Sequence, residues 1–310
     1  MDFKHLPVMY NECIESLNLK SNGIYFDGTL GGGGHSMGIL SGSAPNGFLI
    51  ATDRDADAID AASKRLKDFH NRLKIVKDNF KNFTKVLDDL GVLNIDGAIL
   101  DLGVSSYQLD NRERGFAYMS RDVKLDMRMD RSSPLSAYEI VNNYDESKLK
   151  YIISTYGEEK FAGTIAKNIV LKRADKPIET TGELVDICDI SIPYKFKRDT
   201  HPAKKTFQAI RIAVNEELDG LDTALKDIIK RLNKGGRLAV ITFHSLEDRI
   251  VKTVFKELQT GCICDKRYPC VCGKQAIIKE VNKKPITATE EECLNNSRSK
   301  CAKLRVVEKI

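Results

Sequence analysis

The stretch Tyr25-Phe26-Asp27-Gly28-Thr29-Leu30-Gly31-Gly32-Gly33-Gly34-His35-Ser36 narrows the possible folds more than any other part of the chain. Ile24 to Phe26 read as a buried strand, and Ser36 to Leu40 can open a helix, so the glycines fill a strand-to-helix turn. Glycines there let the backbone take positive φ and let a ligand approach the main chain with no Cβ in the way. In α/β sheets, such turns are where nucleotide-like ligands sit.

The kind of ligand follows from what the turn lacks. A strict G-x-G-x-x-G fails in every register that starts at Gly31 to Gly34, and no glycine is followed by Lys and then Ser or Thr, so neither a dinucleotide fingerprint nor a Walker loop is present. Phe48-Leu49-Ile50-Ala51-Thr52-Asp53 is a second apolar run ending in an acid, nearly twenty residues on and suited to accept hydrogen bonds from a ribose diol. A ribose site without a phosphate cradle suggests S-adenosylmethionine. The alternative is an ordinary glycine turn that binds nothing.

The same rhythm continues downstream. Ala56 to Phe69 places Ile59, Ala62, Leu66 and Phe69 on one helical face. Leu73 to Val76 reads as a strand leading to Phe80, an aromatic at a strand end that can stack on a base or pack in the core. A helix from Phe83 closed by Gly91 and a strand from Ile95 to Asp101 follow, so Asp27, Asp53 and Asp101 all fall on one sheet edge. This alternation predicts an α/β fold with a mostly parallel, doubly wound sheet and a ligand crevice at the strand C-termini.

Past Asp101 the stretch to Asp130 shows no strand or helix period and reads as a long loop, functional or mobile. Capping boxes at Ser136/Glu139 and Thr180/Glu183, a helix from Lys148 to Tyr156 and the stripe Phe161, Ile165, Ile169 then predict helices. The expected organisation is residues 1–109 and 201–310 as the two parts of a sheet domain, with 110–200 as a helical insertion that recognises substrate. In the second part a helix begins near Pro202, a second runs from Leu218 to a stop at Gly235-Gly236, and Arg237 to Phe243 is a strand that delivers His244 to the edge. Ile277-Ile278 and Leu304 to Val307 are candidates for an antiparallel hairpin at the sheet's edge.

Composition excludes some classes. With 42% hydrophobic and 30% charged residues, the chain has the balance of a globular protein rather than a disordered or membrane one. The opening Met1 to Pro7 has no apolar leader region and no later stretch of about 18 residues is uninterruptedly apolar, so a cytoplasmic location and no membrane partner are expected. Eleven Lys+Arg against six Asp+Glu lie from Asp265 to Ile310, so the tail carries the whole net charge of +5. That tail is either a contact for a polyanion or a solvated, lysine-rich surface.

Several stretches taken together resemble the bacterial 16S rRNA cytosine-N4 methyltransferases, the RsmH or MraW family. They are His5-Leu6-Pro7-Val8, the Asp27-to-Ser36 loop, Asp53-Arg54-Asp55, Leu100-Asp101-Leu102-Gly103-Val104-Ser105-Ser106, Gln108-Leu109-Asp110, Arg114-Gly115-Phe116, Leu125-Asp126-Met127-Arg128-Met129, Tyr156-Gly157-Glu158-Glu159, Thr206-Phe207-Gln208-Ala209 and Phe243-His244-Ser245-Leu246-Glu247-Asp248-Arg249. They span nearly the whole chain in one order. The resemblance implies a class I, Rossmann-like, S-adenosylmethionine-dependent methyltransferase with an inserted helical domain, acting on cytidine 1402 of 16S rRNA in the small ribosomal subunit. It places the cofactor on Gly33, Gly34, His35, Asp53, Phe80, Asp101 and Gln108. Family loops read Gly-x-Gly-Gly-His, and the variable position here is Gly32, a change that loosens the turn without removing a contact.

Chemistry adds roles to these positions. In-line methyl transfer depends on holding the nucleophile on the S–CH₃ axis. The cytosine N4 lone pair is delocalised, so an acceptor for an N4–H restores nucleophilicity, and Asp101 or a neighbouring carbonyl stands at the strand end to serve. Asp101 could instead only bind cofactor. His244 is a second candidate as proton acceptor or RNA contact, and Lys204, Lys205 and Arg211 are candidates to meet RNA phosphates. Phe116, Tyr118 and Tyr107 are candidates to stack on an unpaired or flipped target base. Cys262, Cys264, Cys270 and Cys272 supply four thiols within eleven residues, which suit either a tetrahedral zinc or a mobile reduced loop, and the resemblance implies no metal in the chemistry. A methyltransferase for another nucleic acid or a small molecule, and a non-catalytic cofactor-binding assembly factor, are the alternatives; an NAD-dependent reductase lacks its fingerprint. A homodimer is a further expectation that the sequence leaves open.

Overall fold

The computed structural model describes residues 7–197, 201–265, 267, 269 and 271–310. His5 and Leu6 of the lead-in and Cys270 of the cysteine cluster lie outside the described residues. The chain divides into two compact units, one of Met1–Gly103 with Asp219–Ile310 and one of Val104–Leu218.

In the first unit, a short helix α1 (Tyr10–Ser16) precedes β1 (Ile24–Asp27), α2 (Gly34–Gly42), β2 (Phe48–Asp53), α3 (Ala56–Arg65), β3 (Leu73–Lys77), α4 (Phe83–Asp89) and β4 (Ile95–Asp101). These strands are parallel, with β1 between β2 and β4. The direction of winding reverses between β1 and β4, and a reversal of this kind opens a crevice at the strand C-termini. Alternation along each strand builds two core layers. Phe26, Ile50, Ala98 and Leu100 face Phe83, Val86 and Leu87 of α4, whereas Tyr25, Leu49, Ala51 and Ile99 face Cys13, Ile39, Leu40, Ala62 and Leu66. Both faces are covered, which is why these strands read as continuous apolar runs.

The second unit is helical. It holds α5 (Ser106–Asp110), α6 (Ala137–Asn143), α7 (Glu146–Gly157), α8 (Ala162–Asp175), α9 (Thr181–Ser191) and α10 (Lys204–Asn215). The capping boxes expected at Ser136/Glu139 and Thr180/Glu183 both form. A third, at Ser105/Gln108, starts α5 inside the stretch expected to be loop: Gln108 N–H donates to Ser105 Oγ (3.2 Å) and Ser105 N–H to Gln108 Oε1 (3.0 Å). The rest of that stretch is held by side chains rather than by a ladder. Fully buried Arg114 donates from Nη2 to the carbonyls of Arg128 (2.9 Å) and Met129 (3.0 Å). Asn215 accepts the Met129 N–H and donates to Met127 O, both at 2.7 Å.

The unit boundaries fall at 103/104 and 218/219, where the sequence suggests 109/110 and 200/201. Helix α10 accounts for most of the difference. Its buried residues Phe207, Ala209, Ile210 and Val214 belong to the core of the helical unit. Gly157 makes this packing possible, since a Cβ there would stand 2.6 Å from Lys205 O.

The first unit resumes with α11 (Leu221–Arg231), β5 (Leu232–Thr242), α12 (Ser245–Gln259), β6 (Ile278–Glu280), β7 (Ile286–Thr287), α13 (Glu290–Asn295) and β8 (Lys303–Lys309). The complete strand order is β3-β2-β1-β4-β5-β8-β6, with β7 paired to β8. β5 is parallel to β4, and β8 runs antiparallel to β5, β6 and β7. The expected hairpin is therefore present in its pairing, but β8 is interior to the sheet. Gly235-Gly236 does not end α11, which stops at Arg231. Leu232 already pairs with Ile95 and Arg237 with Gly97, so the glycines occupy a bulge in β5, with Gly235 at φ 77°. Pairing and burial of Leu232 outweigh the helical period.

Candidate functional site

The C-terminal ends of β1, β2 and β4 converge on the glycine turn. Gly28 N–H continues the β1 ladder to Ile99 O (3.0 Å), and Leu30 N–H bonds Thr52 O (3.0 Å). The first half of the turn is thereby woven between β4 and β2. Gly31 and Gly33 have φ of 48° and 74°, a conformation that costs other residues roughly 1–2 kcal/mol. Gly33 caps α2, and a Cβ on it would press on Leu66 (3.1 Å) and Ala62 (3.3 Å). Gly34 is constrained differently, since its Cβ would meet Pro7 at 2.9 Å. A Cβ on Gly32 would meet nothing within 4 Å, so a side chain is accommodated there, consistent with a variable position. Gly33→Ala is expected to lower the thermal midpoint by the cost of its φ and to weaken ligand binding, with Gly32→Ala near wild type. Equal melting curves for wild type and Gly33→Ala would show that the turn does not need this backbone conformation.

Three carboxylates line these strand ends. Asp27 is buried; its Oδ2 accepts from Ser36 Oγ (2.6 Å) and its Oδ1 from Thr29 N–H (3.0 Å). Burial pushes this acid up to about 6, against the pull of those two bonds. Asp53 accepts Gly31 N–H at Oδ2 (2.8 Å) and Asp55 N–H at Oδ1 (2.9 Å), which ties β2 to the turn; burial raises its pKa as well. Each oxygen keeps a second lone pair for a hydroxyl.

Asp101 differs from the other two. Its N–H donates to Thr29 Oγ1 (2.6 Å), but its own Oδ1 is buried with no hydrogen-bond partner. Oδ2 lies 3.8 Å from His35 Nδ1, too far for a hydrogen bond. Burial, reinforced by Asp27 and Glu247, pushes Asp101 up to about 8. His35 is buried with Nε2 3.1 Å from Val8 O. Because a carbonyl only accepts, Nε2 carries the proton, and burial holds the ring's pKa near 4, so the imidazole is neutral. Its Nδ1 lone pair thus faces the Asp101 carboxyl.

Gly33, Gly34, His35, Asp53 and Asp101 are therefore gathered at one edge of the first unit. Phe80 joins them there, its Cβ 2.8 Å from where a Cβ on Gly28 would stand. Gln108 belongs to the second unit, where it closes the α5 capping box and is buried. Of the expected RNA contacts, Lys204 and Lys205 are exposed at the start of α10, Lys205 donating to Glu158 O (3.0 Å). Arg211 is held by Glu217 through two bonds of 2.8 Å. His244 caps α12: its Nδ1 accepts Glu247 N–H (3.4 Å), and Nε2 lies 3.1 Å from Glu247 Oε1. Phe116 is buried in the helical core, and Tyr118 stacks on His201 at 4.5 Å between ring centroids. Thr29, Ser36 and Glu247 shape the acid cluster, and sequence reasoning missed all three. The Asp-Gly-Thr run was the signal for Thr29 and the His-x-x-Glu spacing that for Glu247; Ser36 had none.

A mostly parallel, doubly wound sheet with flanking helices and a glycine turn after β1, with acids ending β2 and β4, is that of a Rossmann-like protein of the class I methyltransferase type. The model of the MraW methylase family matches residues 2–310, and the chain belongs to that family. It is 56% identical, over the full length of both chains, to Ribosomal RNA small subunit methyltransferase H of Clostridium botulinum, strain Kyoto / Type A2, and equally to that of strain 657 / Type Ba4. Among solved structures, an rRNA methylase from Streptococcus thermophilus matches 100% of this chain and 99% of its own at 14% identity and a TM-score of 0.41.

Proposed function

We propose that this protein transfers a methyl group from S-adenosylmethionine to N4 of cytidine 1402 of 16S rRNA in the small ribosomal subunit. The buried, unpartnered Oδ1 of Asp101 beside the glycine turn carries this reading. The full-length relatives named as small-subunit rRNA methyltransferases support the substrate class. The residues present fit the cofactor: an acidic crevice suits a ligand with cationic groups, Asp53 retains acceptor capacity for a ribose, and the turn at Gly31 and Gly32 is open to an approaching ligand. When bound, S-adenosylmethionine supplies an electrophilic methyl group.

The chain's own residues do the remainder. Gly33, Gly34 and His35 shape the binding turn, Asp53 orients the ribose and Phe80 offers an apolar face at the end of β3. Asp101, when ionised, accepts an N4–H of the cytosine, increases lone-pair density on N4 and takes up the proton at its Oδ1. Its elevated pKa makes it a better proton acceptor than an ordinary carboxylate. Gln108 is proposed as a further cofactor residue, and Lys204 and Lys205 as phosphate contacts from the helical unit. Arg211, paired with Glu217, and His244, paired with Glu247, are proposed as further RNA contacts, each in its own unit. Among the described residues no helix is long and apolar enough to cross a membrane, and the cytoplasm, where small subunits are assembled, is the proposed location.

The test is transfer of labelled methyl groups from S-adenosylmethionine to small subunits lacking this modification, followed by mapping of the labelled nucleotide. Label on N4 of the single decoding-region cytidine is expected. Label confined to another nucleotide would replace the substrate, and no label on subunits or free rRNA, despite cofactor binding, would remove the rRNA assignment.

A further inference from the structure

Between α12 and β6 the chain makes a loop whose base is closed by Ile277 N–H donating to Leu258 O (3.0 Å). Its tip brings together three cysteines that the chemistry above does not use. The sulfurs of Cys262, Cys264 and Cys272 all lie within 4.8 Å of one another, and those of Cys262 and Cys272 are 3.6 Å apart. A disulfide requires about 2.05 Å. A tetrahedral zinc with bonds of about 2.3 Å sets its sulfurs about 3.8 Å apart. The observed spacing matches a metal cage and not a covalent bond.

The backbone supports the same arrangement. Cys264 N–H points to Cys262 Sγ (3.4 Å) and Lys274 N–H to Cys272 Sγ (3.5 Å). Cys262 and Cys272 thus each accept, across a turn, from the amide two residues further on, and amide donors of this kind favour sulfur as a thiolate. Gly273, at φ 59°, makes the second of these turns possible. From these distances we propose that Cys262, Cys264 and Cys272 form a structural site for a thiophilic divalent cation of the zinc type. Three thiolates on a divalent ion leave one negative charge, and the groove of about 550 Å³ that Lys274 helps to line is cationic on balance, with Arg249, Lys252, Lys256 and Lys274 against Glu257. The ion pins the loop that carries Lys274 and so fixes one wall of this basic groove. The site has no part in methyl transfer; it stands whether or not the proposed reaction does.

The experiment uses the full-length protein from zinc-supplemented cultures, purified under reducing conditions without chelator, with metal content measured by mass spectrometry. About one zinc per chain is expected. Cys264→Ser and Cys272→Ser should each lose most of it, and Cys301→Ser, outside the cluster, should keep it, with circular dichroism confirming that the variants fold. Should the variants not fold, cobalt replacement in the wild-type protein decides, since thiolate-to-cobalt charge-transfer bands require cysteine ligands. Less than about a tenth of an equivalent of zinc together with no such bands would overturn the site. So would full zinc content in both folded variants, or a Cys262–Cys272 disulfide found under reducing conditions.

Discussion

Asp101→Asn is expected to lower the rate of methyl transfer by roughly 10²–10⁴-fold while cofactor affinity changes far less, because the variant keeps the shape of the side chain but loses its ability to take up a proton. Asp101 is placed for this by three observations: the end of β4, an unpartnered Oδ1, and a neutral His35 facing Oδ2. The pH dependence follows from the elevated pKa. Below about 8 the acid is protonated in the free protein, so wild-type activity should climb as pH rises toward that value and then level off. Asp101→Asn should lose that limb.

Stability gives an independent readout, with the opposite sign. An acid whose pKa is higher in the folded than in the unfolded chain stabilises the fold at low pH, and that contribution is lost as pH rises through the folded value. Between an ordinary carboxylate pKa and about 8, the ligand-free protein should therefore weaken. Asp101→Asn should melt higher than wild type above this window and show little difference below it. If cofactor binding collapses in the variant while the turnover of saturated enzyme is unchanged, Asp101 is a binding residue and the proton goes elsewhere.

Asp53→Ala carries the second large effect, on binding. Asp53 acts twice, pinning Gly31 and Asp55 through their N–H groups and keeping lone pairs for a ribose. Hydrogen bonds to a charged acceptor contribute about 1.5–3 kcal/mol each, so losing the ribose contacts and the pinned turn together should weaken cofactor binding by at least about 10²-fold. Asp53→Asn has one acceptor oxygen for two backbone donors and should fall between. Titration calorimetry of the full-length variants checks this; an affinity for Asp53→Ala within about threefold of wild type would take the residue out of the site.

The parts legible in sequence were those set by local pattern plus burial. Asp27, Asp53 and Asp101 could be placed on one edge because each ends an apolar run, and such runs are what two-sided burial in a parallel sheet demands. The capping boxes at Ser136 and Thr180 were legible because they close within four residues. The Ser105/Gln108 box had the same signature but stood in a polar stretch without helical period. What escaped was decided by distant partners. Arg114 looks like a surface charge until the carbonyls of Arg128 and Met129 close on it. Phe116 looks available for stacking, yet it is buried in the helical core. Gly235-Gly236 reads as a helix stop because the sequence does not announce that Leu232 already pairs with Ile95. The cysteine cluster showed its spacing along the chain but not the distances between its sulfurs.

The division of the chain also sets a timetable for synthesis. The helical unit is one unbroken segment, Val104–Leu218, whereas β4 must wait for β5 from beyond it. The wait is about 130 residues, or roughly 7–25 s at ordinary translation rates, during which one edge of β4 offers unpaired backbone groups to any passing strand. The helical segment emerges in that interval with a core of its own. A mutation that slows its folding would therefore be felt first as aggregation of the nascent sheet, in a cell and at a distance from the altered residue.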